Sequence, residues 1–128
     1  MPSLPPAPRK THGDILTEIS DGIVRLLKAH YGKGPTHAKT YYQDDLVVCL
    51  LRGGFTAVEE TLLDAGRVSA VITQRIEFQE VMRERFADVV EGATGRRVIG
   101  FMSGNQHEPA MLSELFVLAP RGQDDEPV

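Results

Sequence analysis

The stretch Gly32-Lys33-Gly34-Pro35-Thr36 has the residue types of a phosphate-holding loop, a lysine between glycines with a threonine close behind. Phosphate loops place such glycines ahead of a helix, so that free amides and the positive end of the helix dipole meet the anion. Here the glycines follow a helical pattern and precede a strand-like one. A helix C-terminus carries the negative end of the dipole. Gly32 therefore reads as a helix cap, Pro35 as a stop, and Lys33 as a cation that neutralises the last carbonyls. Lys33 and Thr36 remain candidate contacts for an anion.

Asp44 and Asp45 are adjacent carboxylates. Neighbours on a strand point to opposite faces, so a shared metal is disfavoured, and aspartates in a turn accept nearby backbone amides. The four histidines, His12, His30, His37 and His107, form no zinc-binding spacing. Ser103 and His107 raise a nucleophile–base pairing, but "GFMSGN" lacks the first glycine of a nucleophile elbow and no strand-to-helix turn follows it. Cys49 lies inside an apolar run, where a thiol is inert. Arg67, Arg83, Arg85, Arg96 and Arg97 could form a basic patch. Glu77, Glu80, Glu84 and Asp88 largely cancel it, leaving a solvated, salt-bridged helix face. The residues implicated in binding are thus polar ones at turns and helix exits: Lys33, Thr36, Lys39, Asp44, Asp45, Arg97, Ser103, Asn105 and His107. No catalytic, metal or cofactor set emerges.

These residues must be positioned by a small number of elements. Asp14 can cap a helix running to about Tyr31, with Ile15, Leu16, Ile19, Ile23, Leu26 and Leu27 on one stripe. "THAKTYY" and "LVVCLL" flank the aspartates as a hairpin. The second run is apolar at every position, as in a strand covered on both faces. Thr56-Ala57-Val58-Glu59 is a capping box before a short helix to about Ala65. A long helix from about Val68 to Glu91 follows, with Val71, Ile72, Ile76, Met82, Phe86, Val89 and Val90 facing inward and Arg75 among the outward residues. Its length, roughly 36 Å, exceeds a strand's and suggests packing against a second copy. "RRVIGFMS" and "AMLSELFVL" form a second hairpin around "GNQHEP". The expected fold is α+β in the order αββ-α-αββ, with a four-stranded, mainly antiparallel sheet, a long helix and two shorter ones.

The 128 residues suit one domain, expected at 13–119 between a disordered N-terminal arm (1–12), rich in proline, and a disordered acidic tail (120–128). The net charge of −4 argues against nucleic acid as a partner. One cysteine rules out an internal disulfide and fits a reducing, cytoplasmic setting. No stretch approaches the ~18 apolar residues of a spanning helix, so no direct membrane insertion is expected.

The GKGPT exit, the block "DDLVVCLLRGGFT", the "EFQ" of the long helix and "TGRRVIGFMSGNQ" together resemble the MpsC-like family across about Gly13 to Leu118. The resemblance implies a soluble, non-enzymatic accessory to membrane ion or inorganic-carbon transport, with transporter subunits as partners. A homodimer is the expected assembly. The alternative is a sensor of a small molecule or anion, bicarbonate or a nucleotide phosphate, with a pocket between the two hairpins lined by Lys33, Lys39 and Arg97.

Overall fold

In a computed structural model, residues 10–121 are described; most of the expected arm and tail lie outside them. The order is α1 (His12–Tyr31), β1 (His37–Gln43), β2 (Leu46–Arg52), α2 (Ala57–Asp64), α3 (Val68–Val81), α4 (Arg83–Thr94), β3 (Val98–His107) and β4 (Ala110–Leu118). The fold is α+β, with one antiparallel sheet of order β1-β2-β4-β3.

Local chemistry sets most boundaries. The first helix starts earlier than expected. Thr11, not Asp14, is its cap, and Asp14 closes a capping box at the third helical position. Lys10 reaches Glu18 at 2.8 Å and the Gly92 carbonyl at 3.1 Å, so residues 10–12 belong to the folded unit. The helix ends at Gly32, which has φ +76° and donates its N–H to the Lys28 carbonyl at 2.8 Å. Thr56 and Glu59 form the expected capping box of α2.

The expected long helix is two helices broken at Met82, where ψ is 0°. Hydrogen bonds from Met82 to Phe78 and from Phe86 to Met82 bridge the break. The two segments are roughly 20 Å each.

Helices α1, α3 and α4 lie on one face of the sheet, and α2 packs against α3. Ile19, Ile23 and Leu27 of α1 and Phe86 and Val90 of α4 pack over Val47, Leu51, Phe116 and Leu118. Phe86, Phe101 and Phe116 form a tilted series with ring centroids 6.2 and 5.2 Å apart. The inward stripe of α3 differs from the expected one. Arg75 and Gln79 are only 3% and 2% exposed, whereas Ile76 is 47% exposed. The stripe Val71, Arg75, Gln79, Met82, Phe86, Val90 advances by three or four residues throughout, and the polar members pair inside it, as described below.

Candidate functional site: the open sheet face and the buried polar seam

The sheet register assigns every strand residue to a face. Val47, Cys49 and Leu51 of β2 point to the helices and are fully buried. Leu46, Val48 and Leu50 point the other way, where no described element covers them. Leu115 and Val117 of β4 pair with Val48 and Leu46 on that open face. Tyr41 and Met102 extend the same row onto the edge strands, and Met102 is 59% exposed. An antiparallel sheet with one solvated face normally shows polar residues there. This one shows an apolar centre instead, so β2 has the sequence of a strand covered on both sides but is covered by the described elements on only one.

Most charged residues of this face lie toward its two ends. His37, Lys39 and Arg52 stand at the end where β1 begins, and Asp44 and Asp45 form the turn at the other. Asp44 adopts φ +51° there, a left-handed conformation that aspartate tolerates better than most residues. A shallow depression of about 240 Å³ lies around Leu50, Gly104 and Ser113, and a second of about 340 Å³ lies between Asp44, Asp45, Leu46 and Val117.

On the helix-facing side, a seam of polar groups crosses the core. Glu114 is fully buried; Gln79 donates to it at 2.8 Å and Ser103 at 2.5 Å. Asn105 donates to the Gln79 carbonyl oxygen at 2.7 Å. Burial pushes the Glu114 carboxyl up to about 7, although the Ser103 and Gln79 bonds oppose the shift. One turn back along α3, Arg75 pairs with Glu59 at 2.6 and 2.7 Å and reaches the Gly54 carbonyl. Its guanidinium lies over the Tyr31 and Phe55 rings at 4.3 and 4.9 Å. Burial alone would raise the Glu59 carboxyl, but the Arg75 and Thr56 bonds hold it below its ordinary value. Burial also raises the Tyr31 hydroxyl, whose oxygen has no hydrogen-bond partner in the seam.

At the turn end, Arg96 is a buried clamp, not part of a solvated basic face. It donates to Tyr42, to the Asp44 carbonyl at 2.6 Å, to the Asp45 carboxylate and to the Ala119 carbonyl at 2.8 Å. A polar cleft of about 600 Å³ beside it is lined by His12, Tyr42, Asp44, Asp45, Arg96 and Arg121. The Arg96 Nη donors on its floor are engaged with protein acceptors, while its buried Nε has no hydrogen-bond partner among the described residues.

The sequence-predicted site residues separate into distinct places. Lys33 and Thr36 lie at the β1 entry, where Thr36 donates to the Arg52 carbonyl at 3.1 Å. A side chain at Gly53, which has φ +70°, would meet that Thr36 hydroxyl at 2.7 Å. His107 lies at the same end, beside the hairpin turn that contains the cis Glu108–Pro109 bond. Asp44, Asp45 and Arg97 lie at the opposite end, roughly 20 Å away along the strands. The two hairpin turns are therefore at opposite ends of the sheet, since Leu46 pairs with Val117 and Arg52 with Met111. Lys33, Lys39 and Arg97 consequently line no common pocket between them. Lys39 projects from the open face near the Tyr41 ring at 5.0 Å. Ser103, itself exposed, and Asn105, half-buried, bond to the outer end of the seam. The Ser103 hydroxyl is given to Glu114, and His107 lies four strand residues further on.

Glu59, Arg75, Gln79, Arg96 and Glu114 were absent from the sequence-based site. Two of them carried a readable signal. Glu114 has the inward parity of Leu112, Phe116 and Leu118, and Gln79 has the helical phase of Met82 and Phe86. Cys49 is buried as expected, and burial pushes its thiol up to about 11.

A family model described as "Na+-translocating membrane potential-generating system (MpsC)" matches residues 11–120. The chain is also similar to the uncharacterized protein YbcI of Bacillus subtilis (strain 168), at 29% identity over 111 residues that cover 84% of this chain and 90% of that protein. No solved structure is significantly similar. Among the described residues, no helix is long and apolar enough to cross a membrane.

Proposed function

This chain belongs to the MpsC family, and from that premise we propose that it is a non-enzymatic accessory of a membrane ion-transport system, working by binding protein through the open face of its sheet. The observation that carries this reading is the apolar centre formed by Leu46, which is exposed, and Val48, Leu50, Leu115 and Val117, which are half-buried, with no described element over it. Soluble monomers rarely leave contiguous apolar patches beyond a few hundred Å² in water. The charged groups at the two ends of the face give the direction of approach, while the apolar centre supplies the burial.

The transport link comes from the family description. A cytoplasmic position, with membrane contact only through a partner, accords with a chain whose single cysteine is a buried free thiol. A sensor of bicarbonate or a nucleotide phosphate is the weaker reading, because the cations it would need stand at opposite ends of the sheet.

Affinity isolation of the tagged full chain from mildly solubilised native membranes provides the test. The unmodified chain should enrich transporter subunits, and Met102→Glu, which places a charge on the apolar face at an exposed position, should lose them. Equal recovery with both chains would overturn the docking face.

A further inference from the structure

We propose that the open sheet face is occupied by a second copy of this chain, packed face to face about a two-fold axis that runs across the strands. This inference rests on reading the face as a docking surface: in the free chain a second copy covers it, and a transport-system partner displaces that copy. A two-fold interface must be self-complementary, and this face is so in both charge and shape.

Consider charge first. Arg52 and Lys39 lie toward one end and Asp44 at the other, where Asp45 is already paired with Arg96. A two-fold axis along the strands would set like charges over like. An axis across the strands reverses strand direction and brings Arg52 of each copy toward Asp44 of the other.

Shape selects the same axis. It keeps each strand over its own counterpart and places the row Tyr41, Val48, Leu115, Met102 over the row Lys39, Leu50, Ser113, Gly104. Met102, 59% exposed, then enters the depression of about 240 Å³ that Gly104 leaves beside Ser113. A side chain at Gly104 would fill that hollow and meet the Ser113 hydroxyl at 2.9 Å. A protruding side chain and a matching hollow thus sit two residues apart on β3, as this axis requires.

The size of the face sets the strength of the contact. Four strands about 4.8 Å apart and roughly 20 Å long present about 400 Å² in projection. With side-chain relief from both copies, the buried surface is on the order of 1,000 Å², at the lower end of specific interfaces. The dimer should therefore be reversible, with dissociation in the micromolar range.

Sedimentation velocity of the full chain over a concentration series tests this. The expected result is a shift from the 14.1 kDa monomer toward twice that mass. Met102→Glu and Arg52→Glu should each raise the dissociation constant about tenfold or more, with circular dichroism confirming that each variant folds. Arg52→Glu also tests the axis, because an axis along the strands would not bring Arg52 to an aspartate. A dimer that neither variant weakens uses another surface and overturns the proposal. A wild-type chain that stays monomeric at millimolar concentration also overturns it. In that monomeric case the membrane isolation decides the docking reading separately. Partner loss on Met102→Glu would leave the docking face standing without a second copy, and unchanged recovery would remove both.

Discussion

Gln79 on α3 donates a hydrogen bond to Glu114 on β4 at 2.8 Å, across the boundary between helix layer and sheet. Both residues are almost fully buried, so the bond satisfies groups that would otherwise be stranded. Because burial raises the Glu114 carboxyl to about 7, the folded chain holds that proton more tightly than the unfolded one. The resulting stability is full below the ordinary carboxylate value of about 4.3 and is lost as pH rises through about 7. The unfolding free energy from denaturant titrations should fall between pH 5 and 8, by an amount on the order of a few kcal/mol. Glu114→Gln should flatten that slope. A variant with an unchanged slope would assign the proton to another group.

The Arg75–Glu59 pair behaves in the opposite sense. The Glu59 carboxyl is lowered on folding, so its contribution is present above the ordinary carboxylate value and is lost as pH falls through its own, lower one. Arg75→Met leaves Glu59 charged and buried, at a cost of about 3–5 kcal/mol near neutral pH. Arg75→Met combined with Glu59→Gln, which keeps a capping side chain, should recover much of that loss. Urea denaturation of the two variants is the check.

Arg96 ties the β1–β2 turn to the chain after β4 through Asp45 and the Ala119 carbonyl. A lysine ammonium cannot span these acceptors as the planar fork does. Arg96→Lys should cost about 2–3 kcal/mol, and Asp45→Asn less, because the carbonyl bonds persist. Equal losses by thermal denaturation would place the value of the clamp in the charge pair alone.

Two glycines should respond oppositely to alanine. A side chain at Gly22 on α1 would meet the Val89 methyl group at 2.6 Å, whereas nothing lies within 4 Å at Gly92 on α4. Gly22→Ala should therefore destabilise by about 1–3 kcal/mol through overpacking. Gly92→Ala should stabilise by about 0.5–1 kcal/mol through helix propensity. Melting temperatures moving in the same direction would contradict the close α1–α4 crossing.

Much of the fold was legible because its signals are local. Gly32 caps α1, Thr56 and Glu59 frame α2, and the Asp44-Asp45 turn joins two strand-like runs. The functional surface was less legible. Each of its residues was assigned a strand, but no pattern within one strand says whether another element of the chain will cover its second face. The polar seam was obscured for a related reason. Arg75 and Gln79 have the types of outward residues, and only partners distant in sequence, Glu59 and Glu114, make their burial tolerable.

The sequence by itself determined the α+β class, the order of helices and hairpins, the Gly32 end of α1, the capping box of α2 and the family, because these depend on spacing and on hydrogen bonds within a few residues. The tertiary structure alone decided that the two hairpin turns lie at opposite ends of the sheet, that Arg96 is a buried clamp, and that β2 keeps one apolar face open. Those outcomes depend on which strands pair and on which side the helices settle, a choice made by burying the whole core together.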